Sequence, residues 1–183
     1  MELIDIVDEN NKLTGQVEER TIAHEKCLWH RHVSCWIMNK KGEILLQRRS
    51  PIKSRNPNKW ARTGGHVDSG EDVEEAIIRE VKEEVGINIP KEQTKIIQIY
   101  KSKEVDNKYF TYIFLFVVDH NIEDYILQKE EVAEVKYFTI EEIELIKESN
   151  DENYTFCKWE DENFYSEMNL LKEKRKQILG NMV

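Results

Sequence analysis

Residues 65–87 read GHVDSGEDVEEAIIREVKEEVGI, and this stretch decides the fold. Asp72 to Val85 has the apolar period of a helix, with Val73, Ile77, Ile78, Val81 and Val85 on the core arc. Glu83 and Glu84 follow Glu80 by three and four positions, so the three carboxylates share one face beside that arc. Like charges at that spacing repel by a few tenths of a kcal/mol in water, and by more where water is thinned. A cation reverses the sign. Clustered carboxylates are hard oxygen ligands suited to Mg²⁺ or Mn²⁺. Taken alone, three glutamates also fit an ordinary solvated face. The flanks change that weighing. Gly64-Gly65 permits close approach of a ligand to the backbone. Gly70-Glu71 opens the helix, Arg79 can pair with nearby acids, and Gly86 stops the helix.

The stretch resembles a Nudix box: Gly, five residues, Glu, seven residues, Arg-Glu, an aliphatic, any residue, Glu-Glu, any residue, Gly, an aliphatic. Every fixed position is filled, with Val81 and Ile87 as the aliphatics. The resemblance implies an α/β (α+β) fold, a Nudix-type α/β/α sandwich with a mixed sheet and a catalytic loop-helix-loop. It implies metal-dependent hydrolysis of a diphosphate linkage in a nucleoside diphosphate joined to another group. Glu80, Glu83 and Glu84 would then hold Mg²⁺ or Mn²⁺, with a backbone carbonyl of Gly64 or Gly65 as a further ligand. Arg79 and Glu71 would orient the catalytic loop. Glu131, beside Glu130, is a candidate for the further acid that the family draws from outside the box. It equally suits a solvated loop.

Working outward, Leu3 to Val7 and Leu13 to Val17 predict an N-terminal hairpin within residues 1–20, followed by a polar connection over 20–29. Strands are expected at His32 to Met38, Glu43 to Gln47, Thr94 to Glu104, Tyr109 to Val118 and Ala133 to Phe138, with a turn at Asp106-Asn107. Ser50 to Lys59, with Pro51 and Pro57, is a loop. Its cations Lys53 and Lys59, with Arg49 before them, suit either substrate phosphates or plain surface. Trp60 suits stacking on a base or the core. Thr139 followed three residues later by Glu142 predicts a capped helix over 140–148, and residues 161–179 a final helix. Runs of strands with few helices indicate helices packed on a mixed sheet. No linker or repeat splits residues 1–183, so one domain is expected.

The first half also resembles isopentenyl-diphosphate isomerase, through Trp36 to Arg49, Ser50 and Lys53. That enzyme uses three histidines at a metal site, and His24, His30 and His66 fall near those places. Two departures oppose isomerase activity: Gly64 stands where its catalytic cysteine would be, and Lys108 to Phe114 lacks its acidic pair. His66 also lies within the box and is a candidate substrate contact. A non-catalytic nucleotide sensor on the same fold is a further alternative.

The chain has 183 residues, 27 Lys plus Arg against 36 Asp plus Glu, and a net charge of −9. The acid excess argues against nucleic-acid polymers and anionic membrane surfaces as partners. A small-molecule diphosphate, complexed with a cation, is the expected partner, bound by a monomer or homodimer. Cys27, Cys35 and Cys157 are odd in number and unlike a disulfide or zinc framework. With no signal-like N-terminus and no apolar run near ~20 residues, a cytoplasmic location is expected.

Overall fold

The computed structural model describes residues 2–102, 107–149, 154–157 and 161–180. In chain order its elements are β1 (Leu3–Val7), β2 (Leu13–Glu19), α1 (Arg20–Glu25), β3 (His30–Asn39), β4 (Ile44–Arg49), β5 (Trp60–Ala61), β6 (Thr63–His66), α2 (Val73–Val85), β7 (Ile96–Lys101), β8 (Tyr109–Val118), β9 (Val132–Phe138), α3 (Ile140–Glu148) and α4 (Asp161–Gly180). They fall into two compact units. One takes Met1–Cys35, Thr63–Lys82 and Asn88–Phe116; the other takes Trp36–Arg62, Glu83–Ile87 and Val117–Val183. Strand β3 and helix α2 each run through both.

In the first unit, β1 and β2 form the expected antiparallel hairpin. The Asp8 carboxylate accepts from the backbone N–H groups of Asn10 and Lys12 at 2.8 and 2.9 Å, which fixes the turn. Asn11 takes the positive φ of 65° that this turn demands. The polar connection expected over 20–29 instead holds helix α1. Its N-cap residue, Glu19, makes no side-chain capping bond. Burial of Ala23 against Ile4 and Ile6, with Leu28 beside them, supports the short helix instead. Here the sheet runs β3-β8-β7, with β6 also on β3. The β3–β6 pairing is antiparallel, with His32 opposite His66 and Ser34 opposite Gly64.

The second unit carries β5-β4-β3 with β9 on β4. Strand β4 matches Ile44 to Phe138 and Arg49 to Val132 in antiparallel register. Trp36, Ile37, Met38, Ile44, Leu46, Phe138, Ile140, Ile143, Phe164, Met168 and Leu171 are buried there. Helix α3 has the expected Thr139–Glu142 capping box. It is tied to α4 by Arg175 on Glu141 at 2.6 and 2.7 Å and by Lys172 on Glu144 at 2.6 Å. Trp36 Nε1 donates to the buried Glu167 carboxylate at 2.5 Å, and Arg62 pairs with the same oxygen.

Most expected elements stand within two residues of their bounds, and β8 coincides. The end of the strand expected at Thr94 to Glu104 and Asp106 of the following turn lie outside the described residues. Among those described, no helix is long and apolar enough to cross a membrane. Cys27, Cys35 and Cys157 are not joined by disulfides.

Candidate metal and catalytic site

Helix α2 buries Ala76, Ile77, Val81 and Val85, and leaves Val73 and Ile78 half-buried. The three carboxylates differ in environment: Glu83 is exposed, Glu80 half-buried and Glu84 only 4% exposed. They sit within one turn of a single continuous helix, so the helix's own geometry sets them on one face. The donor chemistry, three hard oxygen-bearing groups, fits Mg²⁺ or Mn²⁺. A second observation concerns Gly65. A Cβ added there would lie 2.2 Å from Glu80 Oε1, so the Glu80 carboxylate rests against bare backbone. A side chain at 65 would push the Glu80 carboxylate out of this position.

Arg79 organises the N-terminal side of the helix. Its Nε and Nη2 donate to the two oxygens of Glu71, both at 3.0 Å. Nη2 also donates to the His66 carbonyl at 3.0 Å, and Nη1 to Glu80 Oε1 at 2.8 Å. Glu71 accepts in turn from the Asp68 N–H at 3.2 Å. Burial works against the guanidinium charge, but hydrogen bonds and attraction from Glu71 and Glu80 outweigh it and push its pKa up. The two-oxygen grip on Glu71 is a fork–fork pair that lysine cannot copy. The loop, the start of α2 and Glu80 are thus joined through one side chain.

Glu84 is held at two points. Gln47 Nε2 of β4 donates to its Oε2 at 2.9 Å. Its own carbonyl accepts from the Gln128 N–H at 3.2 Å, one residue before Val85 accepts from Ile126. Gly86 turns the chain at φ 76°, and an added Cβ there would meet Ile126 at 2.7 Å.

The histidines form a second cluster. One ligand atom each from His24, His30 and His66 lie within 4.8 Å of one another. Each Nδ1 faces an outer acceptor. His30 Nδ1 lies 2.9 Å from the Leu28 carbonyl, His24 Nδ1 3.0 Å from Asn107 Oδ1, and His66 Nδ1 3.7 Å from Glu2 Oε1. The His30 bond requires Nδ1 to carry the proton, which leaves Nε2 as a buried lone pair with no hydrogen-bond partner. The Nε2 atoms of His24 and His66 meet at 3.0 Å. Burial lowers His30 to about 4, with His24 adding to the effect against the Leu28 bond. Burial and then the neighbouring imidazoles lower His66 well below its ordinary value. A neutral imidazole with its Nδ1–H oriented, as at His30, is the form that binds a metal ion.

The remaining expected residues sit in the second unit. Lys53 and Glu131 are brought together as an ion pair at 2.6 Å, and the Ser50 N–H donates to the Glu131 carbonyl. Arg49 donates to the Arg55 carbonyl at 3.3 Å and is half-buried, as is Lys59. Trp60 is 3% exposed, stacked on Tyr154 at 6.0 Å and edge-on to Phe138 at 5.1 Å. Its ring packs in the core. Sequence reading missed Gln47, Asn107 and Glu2. Only Gln47 left a trace, as the amide that ends the buried run Ile44-Leu45-Leu46-Gln47.

Gly64 bears on the isomerase likeness. An added Cβ would lie 2.2 Å from the Val33 carbonyl oxygen and 2.7 Å from Ser34 Cα. A cysteine at 64 would have to force β6 away from β3.

Four likenesses to known proteins bear on this geometry. The NUDIX domain model matches residues 28–159. A Nudix hydrolase of Clostridium acetobutylicum is 34% identical over 151 residues, covering 78% of this chain and 72% of that one. An isopentenyl-diphosphate Δ-isomerase of Salmonella arizonae is 36% identical over 85 residues, 46% of this chain and 47% of its own. The crystal structure of DR0079 from Deinococcus radiodurans superposes with a TM-score of 0.68 at 23% identity, over 94% of this chain and 98% of that one. The last supports the α+β fold and its mixed sheet alone.

Proposed function

The chain belongs to the NUDIX domain family, and from that premise we propose that it is a divalent-metal-dependent pyrophosphohydrolase. Its substrate would be a nucleoside diphosphate joined to another group, cut at the diphosphate linkage by water, in the reducing cytoplasm. The observation that carries this reading is the helix bearing Glu80, Glu83 and Glu84, anchored by the Arg79–Glu71 fork. When bound, Mg²⁺ or Mn²⁺ would neutralise phosphate charge and lower the pKa of a water. The protein's own part is positioning. Glu80, Glu83 and Glu84 supply the oxygen donors. Gly65 leaves space for the Glu80 carboxylate. Arg79 fixes the loop to the helix, and small displacements of such a frame are costly in rate. Lys53, Arg49 and Lys59 belong to a cationic segment suited to phosphate oxygens. In this structure Glu131 already neutralises Lys53, so phosphate binding by Lys53 would have to compete with that pair.

A screen of nucleoside di- and triphosphates, nucleotide sugars and dinucleotides with Mg²⁺ or Mn²⁺ tests the reading. Cleavage that is lost in Glu83→Gln and Glu84→Gln supports it. A panel without any cleavage, or variants that turn over normally, sinks it. Binding without turnover would indicate a nucleotide sensor instead.

Isomerisation of isopentenyl diphosphate is a second reading, favoured by the three-imidazole cluster. The crowding at Gly64 opposes it. Formation of the allylic isomer from isopentenyl diphosphate would revive it.

A further inference from the structure

Strand β4 places one amide at the end of an apolar run, and the side chain is buried to 2% exposure. Such a group costs free energy unless it is bonded. Its bond goes to Glu84 Oε2 at 2.9 Å, and Glu84 is itself 4% exposed. We propose that Gln47 is a positioning residue that holds the Glu84 carboxylate in the orientation needed to receive a divalent cation. This rests on the carboxylate reading above.

Three observations support it. First, Gln47 adds no positive charge of its own. A lysine or arginine at that place would hold the carboxylate but neutralise it against the incoming cation. Arg79 takes that charged role at Glu80, where it donates to Oε1 at 2.8 Å. The two carboxylates are therefore gripped by different chemistry.

Second, the bond specifies the amide's orientation. An ionised carboxylate offers only acceptors, so the NH₂ end must face it and the carbonyl end would repel it. One Glu84 oxygen is engaged by the amide, which restricts rotation of the whole group.

Third, the backbone of Glu84 is fixed independently, through its carbonyl on the Gln128 N–H at 3.2 Å. With the main chain held by the 126–128 segment, the side-chain torsions are the remaining freedom. The Gln47 amide is a contact that limits them. Outer partners of this kind typically change metal affinity by about 10- to 100-fold when removed.

The test is Mn²⁺ binding to the intact chain, read by electron paramagnetic resonance, for wild type, Gln47→Met, Glu84→Gln and the double variant. Methionine keeps the length and removes the donor. The expected result is a Mn²⁺ dissociation constant raised about 10- to 100-fold in Gln47→Met. No further rise is expected when the change is added to Glu84→Gln, because the residue acts through that carboxylate. Turnover lost in Gln47→Met should recover as Mn²⁺ is raised, which a general folding defect would not show. Gln47→Asn, whose amide sits one methylene back, should show the same loss with a wild-type circular dichroism spectrum. It replaces Gln47→Met should that variant not fold. Unchanged Mn²⁺ affinity in both variants overturns the proposal, as does an equal loss in the Glu84→Gln background. If Glu84→Gln binds Mn²⁺ like wild type, the carboxylate reading itself fails.

Discussion

Arg79 serves four acceptor contacts at once: two on Glu71, one on Glu80 and one on the His66 carbonyl. Arg79→Lys keeps the charge but cannot reproduce the fork. It should cut turnover by about 100-fold through misplacement of the loop. Steady-state kinetics would check this, with circular dichroism confirming the fold. Gly64 makes a different demand, since Val33 backbone sits where its Cβ would go. Gly64→Ala should destabilise by about 3 kcal/mol or more through forced backbone movement, read as a lower urea midpoint. A midpoint unchanged from wild type would mean that β3 and β6 can part freely there. The shared face of Glu80, Glu83 and Glu84 was open to sequence reading because helical spacing is local. Gln47 was not, because its partner lies 37 residues away on another element.

Among the elements, helix α3 shows how far local chemistry reaches. Thr139 accepts from the Glu142 N–H at 3.1 Å, and the Glu142 carboxylate accepts from the Thr139 N–H at 2.7 Å. Both halves of the box follow from a three-residue spacing, so its start was readable. Thr139→Ala should cost about 1 kcal/mol, measured by thermal or urea unfolding. Helix α1 had no such signal. It has no capping side chain, and it depends on burying Ala23 against β1. The short strands β5 and β6 were also hidden, because glycines and two-residue lengths give no period to read.

The α3–α4 contact carries a pH signature. Hydrogen bonds from Arg175 hold the Glu141 carboxyl down to about 2, against an ordinary 4.5. Between those values the unfolded chain binds the proton and the folded chain does not. The pair's stabilisation is therefore present above about 4.5 and fades as the pH falls toward 2. Because Glu141 is 54% exposed, the effect is small. Glu141→Gln should flatten the stability curve over that window and leave it unshifted in shape above it. An identical acid slope in both chains would contradict the assignment.

For the molecule as a whole, the acid excess of −9 takes on two meanings. Several acids are spent on internal pairs, such as Glu131 with Lys53, Glu141 with Arg175 and Glu71 with Arg79. The first two pairs span 78 and 34 residues, so only the fold reveals them, whereas Arg79 with a nearby acid was readable from the sequence. Glu80, Glu83 and Glu84 are grouped by helical spacing on one face of α2, and Glu80 is also paired with Arg79. The histidine cluster adds softer nitrogen donors within the first unit. The histidines could be singled out from the isomerase likeness, but the outward-facing Asn107 and Glu2 partners could not.

If the carboxylate face of α2 binds the metal that hydrolysis requires, turnover must depend on both the metal and Glu84. The most direct measurement is turnover of a cleavable diphosphate from the screen, titrated with Mg²⁺ or Mn²⁺, for wild type and Glu84→Gln. The expected result is no turnover after chelation, saturable recovery as metal is added to wild type, and a loss of about 100-fold or more in Glu84→Gln. Metal-independent turnover, or a Glu84→Gln titration that overlays the wild type, would contradict it.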